Sequence, residues 1–376
     1  MESKNKHLPL SWPLPRSEVE EMNAYTAPLE GRRKLLRLDF NENTIGPSPL
    51  VLKALRNIPR NHISIYPEYN GLKEAVIKNL NAEGITIPLK PNQIGIFNGV
   101  DAAIHAIFHS YGNRDDQILT TTPTFGYYAP CAQMQGMDIL AIPYEGKNFA
   151  FPLTNIRKAL IEQKPRLLLI CNPNNPTGTK LSAEKILGLA TEASDTLIVV
   201  DELYEAFSGE SVLPRVDFNS TSNLLVLRSL SKTAGLAGLR IGFAIGNTEV
   251  VSRVSRVSGP YDVNSFAVTA AFAALQDQKY INDYVSEVFR ARDWIKEKLL
   301  ISNTKHHLDG GNYLLIWPKR DPSEIESSLR SEGILVRNMS GKPLIDKALR
   351  VSIGTKAQMQ QFWEAFIKHE GMSIHN

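Results

Sequence analysis

One lysine, Lys232, lies in a setting suited to reaction with a carbonyl group. Small and hydroxyl residues surround it in Ser-Leu-Ser-Lys-Thr-Ala-Gly, residues 229–235, and Arg240 follows eight positions later. The apolar runs 224–227 and 241–245 flank this stretch, so it connects two predicted strands. A lysine amine condenses with an aldehyde to form a Schiff base. We therefore interpret Lys232 as a candidate catalytic amine.

Two further apolar runs end in polar residues. Residues 171–178 read Cys-Asn-Pro-Asn-Asn-Pro-Thr-Gly and directly follow the run 167–170. Two prolines and a glycine end a strand and make a rigid turn, which holds the asparagine amides in place. The run 197–200 ends at Asp201, and Tyr204 follows three residues later. Because ligands bind at the carboxyl ends of strands in open α/β sheets, we expect these residues near one ligand.

Gly99 precedes a helix-forming stretch that begins Val100-Asp101. The free backbone N–H groups at the start of a helix bind phosphate well. The sequence therefore predicts an anion-binding helix start.

Short apolar runs alternate with helix-like stretches between about residues 49 and 258. The runs are 94–97, 117–120, 167–170, 197–200, 224–227 and 241–245. This alternation predicts an α/β fold with a mostly parallel sheet flanked by helices. Gly259-Pro260 then marks a break, after which helices are predicted over 264–276 and 280–300, and strands over 313–317, 334–336 and 349–353. We predict an N-terminal arm (1–48), a large domain (49–258) and a smaller α+β domain (259–376).

Together these motifs resemble the signature set of fold-type I aminotransferases, which use pyridoxal 5′-phosphate (PLP). Asn-Pro-Asn-Asn-Pro-Thr-Gly, Val-Val-Asp-Glu-Leu-Tyr and Ser-Leu-Ser-Lys with Arg240 carry the resemblance. Within that group the chain most resembles the histidinol-phosphate aminotransferases. The supporting segments are 38–43, 66–68, 123–126, 333–337 and 349–355. The resemblance runs from about residue 25 to 355, which is nearly the whole chain.

The resemblance implies a role for each residue around Lys232. Lys232 binds PLP and then moves a proton between the substrate and the cofactor. Asp201 pairs with the pyridine nitrogen and keeps it protonated, so that the ring accepts electrons. Asn175 and Tyr204 hydrogen-bond the phenolate oxygen of the ring. Phe125 stacks on the face of the ring.

The resemblance also implies how the cofactor phosphate is bound. The groups are the backbone N–H of Val100 and Asp101, the hydroxyls of Ser229 and Ser231, and the guanidinium of Arg240. In the family a tyrosine from the partner subunit joins them, and Tyr66 matches its position. Each active site would then need two chains, so a homodimer is implied.

Substrate binding is implied for a smaller set of residues. Arg350 matches the arginine that binds the α-carboxylate, and Arg337 matches the residue that binds the distal phosphate of histidinol phosphate. Tyr25 matches an arm tyrosine that closes over the substrate, and Asn175 and Asn312 lie beside the same pocket. Arg337 and Arg350 must also accept the two carboxylates of glutamate and 2-oxoglutarate in the other half-reaction.

Four activities remain open on these motifs. The first is histidinol-phosphate aminotransferase, which exchanges an amino group between histidinol phosphate and 2-oxoglutarate in histidine biosynthesis. The others are an aromatic amino-acid aminotransferase, a PLP lyase such as threonine-phosphate decarboxylase, and a PLP-binding regulator. The regulator is the weakest, because the chain has no spare length for a DNA-binding module.

Composition excludes several other classes. The net charge is +3 and the basic residues are dispersed, so we expect no nucleic-acid partner. Two cysteines are too few for a disulfide framework, and Cys171 is expected to be buried. We find no apolar signal core and no 18-residue apolar stretch, so we expect a cytoplasmic protein with no membrane partner. No cluster has metal-ligand spacing, so no metal is expected.

Overall fold

The structure is a computed structural model that describes residues 12–22 and 30–371. The helices are α1 (Ser17–Glu20), α2 (Pro49–Arg56), α3 (Asn61–Ser64), α4 (Leu72–Ala82), α5 (Val100–Tyr111), α6 (Tyr128–Gln135), α7 (Leu153–Gln163), α8 (Ala183–Glu192), α9 (Thr248–Arg256), α10 (Ser265–Gln276), α11 (Gln278–Ile301), α12 (Pro322–Ser331) and α13 (Lys356–Glu370). The strands are β1 (Leu36–Arg37), β2 (Ile94–Phe97), β3 (Gln117–Thr122), β4 (Asp138–Pro143), β5 (Leu167–Cys171), β6 (Leu197–Asp201), β7 (Leu224–Ser229), β8 (Gly242–Gly246), β9 (His306–His307), β10 (Tyr313–Ile316), β11 (Ile334–Leu335), β12 (Arg337–Asn338) and β13 (Leu349–Ser352).

A seven-stranded sheet forms the centre of the molecule, in the order β2-β8-β7-β6-β5-β3-β4. The pairs from β7 through β6, β5 and β3 to β4 are parallel, whereas β8 runs antiparallel to both β7 and β2. The carboxyl ends of the other six strands therefore share one edge with the amino end of β8. This edge collects the polar segments that follow the strands.

Helices cover both faces of this sheet, as the alternation along its strands requires. In β5, Leu168 and Ile170 pack in the same buried cluster as α7 and α8. Leu167 and Leu169 instead pack in the cluster that contains residues of α5 and α9. Each residue of β5 and β6 is buried, so these strands form the rigid base of the sheet edge.

A second, antiparallel sheet has the order β12-β13-β10-β9 and packs against α11, α12 and α13. Its register pairs Arg337 of β12 with Arg350 of β13. The carboxyl half of the chain therefore brings two arginines side by side on neighbouring strands.

Residues 36–41 connect this second sheet to Lys232. β1 pairs in parallel with β11, and the backbone N–H of Ser352 donates to the Leu38 carbonyl at 2.8 Å. Two residues later the Phe40 carbonyl accepts a hydrogen bond from Lys232 Nζ at 2.9 Å. This segment therefore sets the position of the second sheet relative to the candidate lysine.

The predicted strands of the main sheet are confirmed to within one or two residues at each end, except that β4 was not predicted. The predicted strand over 334–336 is confirmed as β11, which ends one residue earlier, and a second short strand, β12, follows after Val336. The predicted arm contains α1 and β1. The domain limits stay a prediction; α10, beyond the predicted break at 259, packs with α2 and α4 in the same cluster as the main sheet.

Candidate active site

The shared edge of the main sheet brings the predicted cofactor residues into one row. From β2 towards β3, this edge carries Gly99 after β2, Arg240 before β8, Ser229 at the end of β7, Asp201 at the end of β6 and Asn175 after β5, and Phe125 follows β3. Arg240 belongs to the row because β8 is antiparallel and its amino end lies at this edge. The end of the row near β2 and β8 therefore carries a positive charge, and the end near β5 and β3 carries an amide and an aromatic ring.

Lys232 is partly buried, and its amine is poised between its charged and neutral forms. Burial and the nearby positive charge of Arg350 together lower the pKa of the Lys232 ammonium to about 8, against the opposing effects of Glu42 and Asp101. The Tyr204 ring lies 5.9 Å from Nζ. A neutral amine is the nucleophilic form, so this setting favours reaction with a carbonyl near neutral pH.

Asp201 is a buried carboxylate with only neutral hydrogen-bond donors in the described chain. The Tyr128 hydroxyl donates to one oxygen at 2.9 Å, and the Leu203 backbone N–H donates to the other at 3.3 Å. Burial raises the pKa of the Asp201 carboxyl to about 6, although both hydrogen bonds oppose the shift. Such a group favours a cationic ligand, because a positive charge would offset the cost of burying the carboxylate. The Phe125 ring meets the Tyr128 ring edge to face, with centres 5.5 Å apart, so it packs against the residue that donates to Asp201.

A hydrogen-bonded chain connects Tyr204 to the second sheet. The Tyr204 hydroxyl accepts from Asn41 Nδ2 at 3.2 Å and from Asn175 Nδ2 at 3.3 Å. Asn175 Oδ1 accepts from the Arg350 guanidinium at 2.7 Å. Burial raises the pKa of the Tyr204 hydroxyl, so the side chain is a neutral hydrogen-bond donor. Its own proton is therefore available to an acceptor on a ligand.

The start of α5 and the Arg240 guanidinium form an anion-binding corner. The first turn of a helix has backbone N–H groups without intrahelical partners, here including Val100 and Asp101. Gly99 has φ +79°, and a Cβ at this position would lie 2.6 Å from Arg240 Nη2. Glycine is therefore required for the guanidinium to approach the helix start. The Asp101 carboxylate holds Arg240 in place at 2.8 Å.

Two serine hydroxyls lie next to this corner. Ser229 Oγ donates to Ser231 Oγ at 2.9 Å and accepts from the Ser231 backbone N–H at 3.1 Å. Ser229 Oγ also lies 3.3 Å from the Ile241 carbonyl. Hydroxyls reorient readily, so both can turn towards an anion bound at the start of α5.

Positive charge also gathers on the side of the site formed by the second sheet. The Arg337 guanidinium lies 5.9 Å from the centre of the Phe40 ring. The backbone carbonyl of Phe40 is the group that accepts the hydrogen bond from Lys232. The neighbouring carboxylate, Asp39, is already bound by Arg32 at 2.6 Å. This face of the site is therefore suited to an anionic part of a ligand.

One of the predicted residues, Tyr66, lies apart from this cluster. Tyr66 is 71% exposed and stacks on Tyr261 with ring centres 4.2 Å apart. It is therefore on the surface of the subunit. Tyr25 lies outside the described residues.

Two site residues were missed by the sequence predictions. Tyr128, the partner of Asp201, follows Phe125 by one helical turn, and that spacing could have indicated it. Asn41 lies in a segment used only for family resemblance, although its φ of +54° suits asparagine.

Residues 12–22 and 30–371 contain no group of histidine, cysteine and carboxylate side chains that could hold a metal, and no helix there is long and apolar enough to cross a membrane.

Residues 33–366 match the family described as aminotransferase class I and II. The chain belongs to this family. The resemblance inferred from its motifs and its assignment as a transaminase are therefore confirmed. A histidinol-phosphate aminotransferase of Desulfitobacterium hafniense is 31% identical over 361 residues, which covers 93% of this chain and 95% of the relative. A dihydroxyacetone phosphate transaminase of Campylobacter jejuni is 32% identical over 348 residues, covering 90% and 91%.

The fold is likewise that of a solved aminotransferase. A histidinol-phosphate aminotransferase from Sinorhizobium meliloti, in complex with pyridoxal-5′-phosphate, aligns with a TM-score of 0.85 at 24% identity. The alignment covers 96% of this chain and 99% of that protein. The predicted fold-type I α/β architecture is confirmed.

Proposed function

We propose that the protein is a PLP-dependent aminotransferase whose amino donor carries a phosphate, with histidinol phosphate as the leading candidate. The observation that carries the cofactor assignment is the buried carboxylate of Asp201, which has only neutral donors in the described chain. A protonated pyridine nitrogen would supply the missing positive charge. The relative solved with this cofactor supports the same assignment.

The remaining groups of the row fit the other parts of PLP. Asn175 and Tyr204 would bind the phenolate oxygen, and the Phe125 ring would cover one face. The start of α5, Ser229, Ser231 and Arg240 would hold the phosphate. When bound, PLP supplies an aldehyde for amines and a ring that accepts the electrons released when a Cα–H bond breaks.

The protein's own groups bind the substrate, orient it and move its proton. Lys232 Nζ would take the proton from the substrate Cα and deliver it to the carbon that the cofactor aldehyde supplies, and its lowered pKa of about 8 leaves part of the amine neutral near neutral pH. Asp201 keeps its partner nitrogen positively charged throughout. Arg350, held by Asn175, is aimed to bind a carboxylate with its planar donor pair.

A phosphate-bearing donor is favoured by the positive charge on the second-sheet side of the site. Arg337 has no carboxylate partner among residues 12–22 and 30–371, and the carboxylate of Asp39, next to Phe40 in the chain, is bound by Arg32. A neutral aromatic side chain would leave this charge unpaired when bound. The similarity to the Desulfitobacterium hafniense enzyme supports histidinol phosphate in particular. Arg337 and Arg350 would bind glutamate through its two carboxylates in the other half-reaction.

A second candidate substrate has the same chemistry in a smaller molecule. The Campylobacter jejuni relative, a dihydroxyacetone phosphate transaminase, is slightly more similar in sequence at 32% identity. A three-carbon phosphate would use the same cations and leave the imidazole position empty.

The proposal includes a homodimer with Tyr66 acting across the interface. In this subunit Tyr66 is exposed on the surface, as a residue that serves a neighbouring site must be. A cytoplasmic location remains a prediction.

A spectral titration of the purified protein tests the substrate. Histidinol phosphate is expected to change the cofactor absorbance at micromolar concentrations, whereas phenylalanine and threonine phosphate require far more. Protein first treated with glutamate should recover its original spectrum with imidazole acetol phosphate, and recovery with dihydroxyacetone phosphate instead would favour the second candidate.

Arg337→Ala should raise KM for histidinol phosphate about tenfold to a hundredfold, because a charge-assisted bond is lost. Equal effects on phenylalanine would contradict the proposal.

Reduction of the wild-type protein with borohydride tests the catalytic lysine. The cofactor should become attached to Lys232, and Lys232→Ala should bind PLP without covalent attachment and show no turnover. Attachment to a different lysine would remove Lys232 from its assigned role.

A further inference from the structure

The hydroxyl of Tyr204 receives two hydrogen bonds from amide groups. Asn41 Nδ2 donates to its oxygen at 3.2 Å and Asn175 Nδ2 at 3.3 Å. A hydroxyl has two acceptor positions and one proton, and no group within residues 12–22 and 30–371 accepts the Tyr204 proton. The ring is buried and meets the Tyr313 ring edge to face, with centres 5.1 Å apart. The amides therefore fill the acceptor positions, and the proton must point away from both.

The amide of Asn175 can face Tyr204 in only one orientation. Its Oδ1 accepts from the Arg350 guanidinium at 2.7 Å, and a guanidinium only donates. The amide nitrogen must therefore be the atom that faces Tyr204. Arg350 thus fixes one of the two donors.

Ser352 fixes the amide of Asn41 in the same way. Ser352 Oγ accepts from the Asn41 backbone N–H at 2.8 Å, so its own proton is left to donate to Asn41 Oδ1, 3.0 Å away. The Asn41 amide nitrogen must then face Tyr204. Both Asn41 and Ser352 are buried, which shields these hydrogen bonds from solvent.

The backbone around Asn41 is fixed as well. Its φ of +54° lies in the left-handed region, which asparagine tolerates better than most residues. Asn312 Nδ2 donates to the Asn41 carbonyl at 3.2 Å. Ser352 lies two residues after Arg350 in β13. One strand of the second sheet therefore orients both amides that face Tyr204.

We propose that Asn41 and Ser352 are positioning residues that direct the Tyr204 proton onto the phenolate oxygen of PLP. This inference rests on the proposed function for the binding of PLP, and not for the choice of substrate. Burial raises the pKa of the Tyr204 hydroxyl, and although the positive charge of Arg350 and the hydrogen bond from Asn41 oppose the shift, Tyr204 keeps its proton near neutral pH. Without the Asn41 amide the hydroxyl is free to rotate, and the phenolate oxygen loses part of this donor.

The direction of the Tyr204 proton can be read from the absorbance of the bound cofactor. PLP attached to Lys232 changes its absorbance when the nitrogen that joins them loses a proton. A donor on the phenolate oxygen stabilises the form that has lost this proton, because the negative charge on the oxygen is then no longer offset by a positive neighbour. Losing the donor should therefore raise the pH at the midpoint of the absorbance change.

Three variants of the PLP-loaded protein test the inference. Asn41→Gly removes the amide, and glycine adopts a positive φ without strain, whereas Ser352→Ala removes only the orienting hydroxyl. We expect Asn41→Gly to raise the midpoint by about one pH unit, or about tenfold in proton affinity, and Ser352→Ala to raise it by a smaller amount. Thr44→Ala is the matched control, because its hydroxyl lies in the same segment but donates to Gln358 Oε1 at 2.6 Å. Its midpoint should equal that of wild type.

A second set of variants shows whether the effect passes through Tyr204. Tyr204→Phe has no hydroxyl to direct, so its midpoint should already be raised, and adding Asn41→Gly or Ser352→Ala should raise it no further. If Asn41 had a merely structural role, its substitution would have the same effect in both backgrounds. That result, or an unchanged midpoint in both single variants, would overturn the inference. If Asn41→Gly does not fold, as judged by thermal unfolding without the cofactor, Ser352→Ala alone decides.

The titration also separates this inference from the proposed function. It needs no substrate, so a wild type that binds PLP but rejects histidinol phosphate would contradict the proposed donor and leave the expected shifts unchanged. A wild type without cofactor absorbance would contradict both.

Discussion

Asp201 shows how a functional residue can be recognised by its cost to stability. The carboxylate is buried, its hydrogen-bond donors in the described chain are neutral, and its pKa is raised to about 6 from 3.8. A fold optimised for stability alone would place an uncharged side chain here. The uncompensated charge is understandable once a cationic ligand is part of the site.

We therefore predict opposite effects of Asp201→Asn on stability and on catalysis. The folded pKa lies above the unfolded one, so the carboxyl stabilises the fold below about pH 4, and this stability is lost as the pH rises towards about 6. At pH 7 the free energy of unfolding of the cofactor-free variant should exceed that of the cofactor-free wild type by on the order of 1–3 kcal/mol. The variant should therefore unfold at a higher denaturant concentration. The variant should also transfer the amino group several orders of magnitude more slowly, because a lost electrostatic partner costs about 3–4 kcal/mol or more.

Denaturant titrations and single-turnover measurements test both parts. Glu202→Gln provides a control, since its carboxylate is buried beside Asp201 but already pairs with Arg228 at 3.0 Å. Breaking that pair should lower stability. Near-normal rates in Asp201→Asn would show that the carboxylate serves only to anchor the segment after β6.

The lowered pKa of Lys232 has a second origin that can be tested by substitution. Arg350 is the largest cause after burial, so Arg350→Gln should raise the pKa of the Lys232 ammonium above about 8. Only the neutral amine captures the PLP aldehyde, and the capture rate of the cofactor-free protein should therefore rise with pH around this value. Stopped-flow absorbance should place the midpoint at higher pH in Arg350→Gln. Arg253→Gln is a control, because it removes a positive charge from the exposed side of α9. If the midpoint moved in this variant as well, the effect of Arg350 would not be a local charge effect.

At the scale of elements, one reversed strand explains the composition of the site. Because β8 is antiparallel to β2 and β7, its amino end lies at the same sheet edge as their carboxyl ends. Arg240, before β8, therefore lies beside Gly99, after β2, and reaches the start of α5. The parallel strands β5 and β6 deliver Asn175 and Asp201 from their carboxyl ends. The site thus depends on contact between loops that lie far apart in the sequence.

Gly99→Ala should disrupt this corner specifically. Its φ of +79° disfavours a side chain, and a Cβ would lie 2.6 Å from Arg240 Nη2. We expect the guanidinium to be displaced and the affinity for PLP to fall at least tenfold, measured by equilibrium dialysis. Gly188→Ala is a matched control, because its Cβ would have nothing within 4 Å and the residue lies inside α8. Alanine there should be neutral or slightly stabilising.

The sequence predicted the buried elements better than the exposed ones. β5 and β6 are continuous apolar runs, and their limits were found almost to the residue. β4 was missed because this edge strand is largely exposed, and its Asp-Ile-Leu-Ala-Ile-Pro sequence ends in a proline. The direction of β8 could not be read from its composition, since pairing is decided by distant strands.

The same reasoning explains which site residues were found. Lys232, Asp201 and Asn175 lie in local motifs at strand ends, so their sequence neighbours identify them. Tyr128 acts through its hydrogen bond to Asp201, 73 positions away in the chain. Only the fold brings those partners together.

At the scale of the whole molecule, the exposed surface around Tyr66 is what requires explanation. Ile63, Ile65, Tyr66 and Tyr261 are all more than half exposed and form an apolar region beside α3. Clustered exposed apolar residues indicate a binding surface. A second copy of the chain, packed on this region, would bring Tyr66 to the neighbouring active site.

Mixing two inactive or impaired variants tests this arrangement. Lys232→Ala lacks the catalytic amine, and Tyr66→Phe lacks the hydroxyl that would hold the cofactor phosphate of the partner subunit. If Tyr66 acts across the interface, a mixed dimer contains one site with both changes and one site with neither. Activity at limiting PLP should then recover towards half of the wild-type value per dimer. If subunit exchange is demonstrated and activity does not recover, Tyr66 serves its own subunit, because each mixed dimer then has one change in each site.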